Sequence, residues 1–228
     1  MKFISADEIK YRVKELGGDL CGIAPIERFE GAPSRFHPKD VIKECKSVIV
    51  IAIRFPISTL SASSQAAYTF VRNRLADKMD SITFQVSSEL ENLGSCAIPI
   101  PSSDPYDYWD DIRRHGQGII SLKHAAVRAG LGQMGKNTLL INDQYGNMIW
   151  LGAVLVDKEL ESDQLATYQP CIPECRICLD ACPGNALNGI SLEQRKCRSV
   201  AGKYTEGGGF VYACNLCRKL CPHREEIK

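Results

Sequence analysis

Several things are missing from this sequence, and each absence excludes something. The opening residues, MKFISADEIKYRVKEL, contain no apolar stretch of the kind a secretion signal needs. The longest apolar runs, VIVIAI (48–53) and MIWLGAVLV (148–156), are far too short to span a bilayer. Neither charge is in excess: 28 Lys and Arg stand against 27 Asp and Glu. No large field therefore points to nucleic acid or to an anionic membrane. There is no repeat of solenoid length and no low-complexity segment. A cytoplasmic protein with no membrane partner is expected. What the chain has in abundance is cysteine, 11 in 228 residues. Without a secretion signal, so many thiols indicate metal or redox chemistry rather than disulfides.

Local patterns divide the chain. Ser5 and Glu8 make a capping box, Ile9, Val13 and Leu16 follow on one helical face, and Gly17–Gly18 closes the helix. DLCGIA (19–24) reads as a short strand, and SVIVIAI (47–53) as a strand buried on both faces. Residues 64–93 place Phe70, Val71, Leu75, Met79, Ile82, Val86 and Leu90 at three-to-four spacing, a long amphipathic helix ended by Gly94. CAIPIP (96–101) is extended, 102–118 a polar and aromatic loop, 119–129 a helix and 148–156 a strand. The expected fold class is α+β, with a mixed α/β domain over 1–156 and a polar connector over 157–170. A cysteine-dense domain with little regular structure, 171–228, completes it.

The cysteines form two runs. The first is Cys171-x3-Cys175-x2-Cys178-x3-Cys182-Pro183; the second is a distant Cys197, then Cys214-x2-Cys217-x3-Cys221-Pro222. In two-cluster bacterial ferredoxins, three cysteines of one run hold one [4Fe–4S] cube and the cysteine before proline crosses to the other. Short spacings let a loop wrap three iron corners, while the cysteine–proline turn supplies a fourth thiolate from a distance. The predicted ligand sets are Cys171, Cys175, Cys178 and Cys221 for the first cluster, and Cys182, Cys197, Cys214 and Cys217 for the second. A pair of structural zinc sites is the competing reading, since C-x2-C pairs also serve zinc. Two C-x3-C-P endings are a ferredoxin feature that zinc does not need. Cys21, Cys45 and Cys96 remain; each lies in or beside an apolar segment and reads as a buried structural thiol.

The stretch AVRAGLGQMGKNTLLI (126–141) satisfies G-x-G-x-x-G at Gly130, Gly132 and Gly135 and nearly satisfies a P-loop through Lys136. A dinucleotide loop must follow a strand, whereas SLKHAAVRA here is helical; a P-loop needs Ser or Thr where Asn137 stands. What remains is a glycine-dense turn able to approach a flat ligand or another backbone closely.

That stretch, with WLGAVLVD after it, GGDLCGIAP and HPKDVIKECKSVIVIAI before it, and a two-cluster tail with a separated Cys197, resembles the epoxyqueuosine reductase family, which is similar to the reductive dehalogenases. The resemblance covers essentially the whole chain. It implies an iron–sulfur oxidoreductase with a nitroreductase-like α/β domain, a two-[4Fe–4S] ferredoxin-like module and a cobalamin that receives the electrons. It also implies that Arg128, Gly130, Gly132, Gly135, Lys136, Asn137 and Thr138 lie along the corrinoid. A low-potential donor such as ferredoxin or flavodoxin would supply electrons to reduce a small-molecule substrate or to serve a partner protein. The tRNA-modifying members carry a helical-repeat extension after the clusters, whereas this sequence ends at CPHREEIK. It therefore reads as a short form, with tRNA an unlikely partner. Where those members carry an aspartate general acid, this chain has Gly116 and Gln117. His115 is the candidate proton donor in its place, with Asp110 and Asp111 as alternatives. Tyr106, Tyr108 and Trp109 would line a pocket or cover a core edge, and His124 would face a cofactor or solvent. Arg195, Lys196, Arg198, Lys203, Arg218 and Lys219 read as a solvated basic face suited to an acidic donor. The alternative function is a ferredoxin-type electron carrier without cobalamin.

Overall fold

The computed structural model describes residues 4–224. Ser5 caps α1 (Ala6–Glu15): its hydroxyl accepts from the Glu8 N–H, and the Glu8 carboxylate accepts from the Ser5 N–H at 2.7 Å. Two of the donors that a helix start leaves unpaired are thereby satisfied. Beyond the turn at Gly17 lie β1 (Leu20–Pro25), β2 (Ser47–Arg54), the 28-residue α2 (Gln65–Asn92) and β3 (Ala97–Ile100). A short hairpin of β4 (Tyr108–Asp110) and β5 (His115–Gln117) precedes α3 (Leu122–Arg128). A second small hairpin, β6 (Gln133–Met134) with β7 (Leu140–Ile141), leads into β8 (Ile149–Val156).

β1, β2, β8 and β3 form one antiparallel sheet in that order. Alternation along β2 gives each face a core. Ile49, Ile51 and Ile53 pack with Ile9 and Val13 of α1 and Met79, Ile82 and Val86 of α2. Val48, Val50 and Ala52 pack on the other face with Ala125, Ala126 and Ala129 in and after α3. Because both faces are covered, every residue from Ser47 to Ile53 is buried, and the run needs no polar alternation. Alanines let α3 approach the sheet closely, while the long side chains of α2 fill the thicker layer opposite.

The connector is an ordered strap. Asp163 accepts from the Ile23 N–H at 2.8 Å and from Lys10 Nζ at 2.6 Å, and its own N–H donates to the Ile23 carbonyl. The cysteine-rich tail then contains α4 (Ile177–Asp180), α5 (Gln194–Ala201), a hairpin of β9 (Gly202–Tyr204) and β10 (Phe210–Tyr212), and α6 (Leu216–Lys219).

Three sequence expectations are corrected. The 102–118 loop contains the β4–β5 hairpin, held because Gln194 of α5 clamps Gly116, accepting from its N–H and donating to its carbonyl, each at 2.9 Å. The tail is more regular than expected for the same reason: contacts with the first domain order it, including the Tyr212 N–H on Thr69 Oγ1 at 2.9 Å. Cys96 is exposed rather than buried, because it sits at the turn before β3 with its neighbour Ala97 facing the core.

The three cysteines outside the two runs therefore differ chemically. Burial pushes the Cys21 thiol up to about 12 and the Cys45 thiol up to about 11, leaving almost no thiolate at neutral pH. Treatment of the native protein with iodoacetamide at neutral pH, followed by peptide mass spectrometry, is expected to label Cys96 and to spare Cys21 and Cys45 until the chain is unfolded.

Candidate redox site

The two cysteine runs are interleaved. Cys178 is buried, and its thiol is pushed up first by that burial and then by Cys221, Cys171 and Cys175. Cys221 responds to burial and likewise to Cys171 and Cys175. Burial also raises Cys217, to about 11, with further upward contributions from Cys197, Cys214 and Cys182; Cys197 in turn feels Cys182 and Cys214. The thiols thus interact within two groups of four, each drawing on both runs. Among the described residues, no three Cys, His, Asp or Glu side chains are gathered tightly enough for one metal ion.

Sulfur atoms in both groups receive N–H donors. The Lys136 N–H points at Cys171 Sγ at 3.5 Å, and the Ala186 N–H at Cys182 Sγ at 3.3 Å. The Asn147 side-chain amide nearby donates to the Arg218 carbonyl at 3.3 Å. N–H donors to sulfur favour thiolate and are usual around iron–sulfur ligands, so the residues present fit two clusters.

The glycine segment acts as a bracket. Lys136 Nζ donates to the carbonyls of Ile172 at 3.0 Å and Cys175 at 2.9 Å, and also to that of Pro173, so one ammonium gathers the first cysteine loop. Asn137, 3% exposed, donates from Nδ2 to the Cys217 carbonyl at 3.1 Å while its Oδ1 accepts from the Leu139 N–H. Gly130 has φ 76°, and a Cβ there would lie 2.0 Å from the Gln164 carbonyl oxygen. A Cβ on Gly132 would lie 2.3 Å from that of Ile141. Gly135 is closed by the Ile141 side chain, Thr138 is buried, and Arg128 donates to the Arg28 carbonyl at 2.6 Å. Of the two partners the sequence left open to this turn, a flat ligand or another backbone, the glycines meet backbone.

Cations surround the second group. Lys123 is half-buried and donates to the Thr138 carbonyl at 2.6 Å. Burial draws its ammonium down, while the thiols of Cys217 and Cys197 hold it up. Arg218, read from sequence as part of a solvated face, is 8% exposed; its guanidinium lies over Phe55 and donates to the Asn147 carbonyl. Arg198 stacks on Trp109 at 4.6 Å and bonds the Tyr106 hydroxyl. Sequence reading missed Lys123 and Asn147, which sit in no motif, and Gln194, whose partner is a backbone 78 residues away.

Two cavities adjoin this group. One, of about 210 Å3, has Leu139, Leu140 and Trp150 in its wall and Lys123 and Arg218 beside it. The other, of about 840 Å3, lies between the β4–β5 hairpin and α5 and includes His115, Tyr108, Asp110, Arg113 and Arg195. His115 is half-buried there, its Nε2 3.4 Å from the Gln117 amide nitrogen. Asp111 instead accepts from Trp109 Nε1 at 2.5 Å. His124 pairs with Ser121 Oγ at 2.7 Å and, with Arg128, lines a separate cavity of about 430 Å3.

This arrangement of sheet, strap and cysteine tail is a known fold. It matches the epoxyqueuosine reductase of Streptococcus thermophilus with a TM-score of 0.65 and 22% identity, over 97% of this chain and 67% of that one. It also matches a catabolic reductive dehalogenase in complex with 3-bromo-4-hydroxybenzoic acid, with a TM-score of 0.71 and 21% identity, over 97% of this chain and 32% of that one. A third match, with a TM-score of 0.61 and 20% identity over 97% of this chain and 66% of the other, is an epoxyqueuosine reductase with an epoxyqueuosine-modified tRNA-Tyr stem loop. No family model matches the sequence. Among its curated relatives, the epoxyqueuosine reductase of Lactococcus garvieae is 26% identical over 99% of this chain and 65% of the relative, and that of Staphylococcus aureus is 35% identical over 48% and 31%. The chain spans about two thirds of the length of the L. garvieae relative. One neighbour sharing this fold is thus solved with a tRNA stem loop, whereas the sequence reading set tRNA aside for this chain. Among the described residues, no helix is long and apolar enough to cross a membrane.

The bracket makes a thermodynamic prediction. Gly130→Ala places a methyl where the Gln164 carbonyl lies, at a left-handed φ, and is expected to cost at least about 1–3 kcal/mol. Gly207→Ala, with nothing within 4 Å of the new Cβ, is expected to stay within about 0.5 kcal/mol. Urea unfolding midpoints of the two variants check the contrast.

Proposed function

We propose that the chain is an iron–sulfur oxidoreductase of the epoxyqueuosine reductase type. Cys171, Cys175, Cys178 and Cys221 hold one [4Fe–4S] cluster, and Cys182, Cys197, Cys214 and Cys217 hold the other. The observation that carries this reading is the ferredoxin-like spacing of the eight cysteines, with backbone N–H groups aimed at Cys171 and Cys182 sulfur. The domains divide as 1–156, a connector over 157–170 and a two-cluster module over 171–228. A low-potential one-electron donor such as ferredoxin or flavodoxin feeds the clusters, and the substrate enters the cleft beside α5.

In that cleft His115 is the proton donor. The Gln194 clamp on Gly116 fixes the backbone next to His115, and Tyr108, Arg113 and Arg195 orient the substrate. Its position on a clamped strand limits the freedom of the imidazole, which is what a positioned acid requires.

Cobalamin, when bound, would supply a cobalt centre that takes low-potential electrons and breaks a bond to oxygen or halogen. Arg128, Gly130, Gly132, Gly135, Lys136, Asn137 and Thr138 fit a corrinoid only as backing. Their glycine faces and most of their polar groups are turned to the chain's own carbonyls. The wall left for contact is that of Leu139, Leu140, Trp150 and Lys123. The proton and binding roles above do not depend on it.

Two substrates follow from the proteins sharing this fold: an epoxyqueuosine-containing tRNA stem loop and a bromophenol carboxylate. The test is anaerobic reconstitution with iron and sulfide, titration with hydroxocobalamin, and turnover of both compounds with dithionite. About eight irons per chain, and turnover that falls at least about 100-fold in His115→Gln, are expected. Zinc in place of iron, or full turnover without His115, would overturn the cluster and acid assignments respectively.

A further inference from the structure

The cavity of about 430 Å3 lies between the loop after β1 and α3, and it shares no wall residue with the two cavities beside the cysteine tail. Local turns build it. The Ala32 N–H donates to the Phe29 carbonyl at 2.9 Å and the Phe36 N–H to that of Pro33 at 3.0 Å, so the loop curls on itself and sets Phe29 and Phe36 around one space. Phe29 and Ile120 are buried and give the cavity apolar walls. Phe36 is half-buried, and among the described residues it joins neither face of the sheet's core. Its ring lines the cavity instead.

The polar part of the lining comes from one face of α3, where Ser121, His124 and Arg128 lie on a different side from the alanines packed on the sheet. Arg128 is held in place. Its Nε donates to the Arg28 carbonyl at 2.6 Å, its Nη1 lies 3.4 Å from the His124 carbonyl, and its guanidinium lies 5.3 Å from the centre of the Phe29 ring. Arg28 Nη1 returns a bond to the Arg128 carbonyl at 2.7 Å. Among the described residues, Nη2 of Arg128 has no protein acceptor, and neither arginine forms an ion pair with a carboxylate. His124 Nδ1 pairs with Ser121 Oγ at 2.7 Å, which leaves Nε2 free of protein partners among the described residues. Partial burial, then Arg128 and Lys123, draw its pKa down, so the imidazole is uncharged at neutral pH and the positive charge at the cavity is that of Arg128.

Apolar walls with a few convergent polar groups are the make-up of a small-molecule site, and the volume is in the usual range. The charge selects the ligand. A guanidinium presents its N–H groups in a fork that matches a carboxylate, no aspartate or glutamate lines the cavity to repel one, and the walls of Phe29, Phe36 and Ile120 suit a ring or a short chain. We propose that this cavity binds a small apolar monocarboxylic acid, its carboxylate on Arg128 and its apolar body against Phe29 and Phe36. The site lies outside the cleft assigned above to the substrate, and it rests on neither the cluster nor the cobalamin reading. The same loop serves both places: Arg35, between Pro33 and Phe36, lines the larger cleft, so a bound acid braces one wall of it.

The experiment is isothermal titration calorimetry on the full chain with 2-naphthoate and octanoate, each compared with its own uncharged amide. At least one acid is expected to bind, one molecule per chain, at least about tenfold more tightly than its amide. Which pair binds distinguishes a ring from a chain. Arg128→Met is expected to bring the acid down to the level of its amide. Because Arg128 also holds the Arg28 carbonyl, Ala32→Trp serves as a second variant that fills the cavity from the loop and leaves that bond alone. It is expected to weaken the acid at least about tenfold in a chain that circular dichroism shows to be folded. No binding of either acid by the intact chain, equal affinity for acid and amide, or undiminished binding in folded Ala32→Trp would each overturn the proposal. Stoichiometric displacement of the acid by hydroxocobalamin would give the cavity to the corrinoid and overturn it as well.

Discussion

The carbonyl of Gln164 occupies the space where a side chain at residue 130 would be, and much of the site depends on that contact. It presses the strap after β8 against the turn after α3. From there the backbone runs through Gly132, closed against Ile141, to Lys136 and Asn137, which reach the two cysteine loops. Three layers of the molecule are thereby referred to one short turn: the sheet through α3, the strap through Gln164, and the cysteine tail through five hydrogen bonds from Lys136 and Asn137.

This geometry explains why a G-x-G-x-x-G pattern appears without a phosphate site. The motif records close approach, and what approaches is the chain itself. A ligand-binding glycine loop exposes its backbone N–H groups in a concave arc; here the segment carries bulk on one side and hydrogen-bonds cysteine loops on the other. The same residues that look like a cofactor cradle hold the cysteine tail in register with the sheet. Asn147 does the same from the start of β8, its N–H on the His223 carbonyl and its carbonyl taking the Arg218 guanidinium.

The redox reading and the fold support each other through charge. The two proposed four-iron clusters would bring several negative charges into a small volume, and removing such charges from water is costly unless cations accompany them. Arg218 is buried and Lys123 half-buried, and among the described residues neither forms an ion pair with a carboxylate. Beside cluster-bound thiolates, these cations would act as counter-charges. The lysine on the helix before the glycine turn thus belongs electrostatically to the cysteine tail, although no motif joins them in the sequence.

By itself the sequence determined whatever depends on neighbours a few residues apart. The capping box at Ser5, the doubly buried β2, the length of α2, the helix before the glycine turn and the ferredoxin-like spacing of the eight cysteines all rest on local periodicity or loop geometry. Only the tertiary structure decided what depends on distant segments meeting. It alone identifies the backbone that closes Gly130 and Gly132 and shows that Gln194 orders a hairpin read as loop. It alone buries Arg218 and leaves Cys96 exposed. The physical reason is that a side chain's charge and a glycine's lost Cβ acquire meaning only from the atoms they face, and in this fold those atoms come from segments far along the chain.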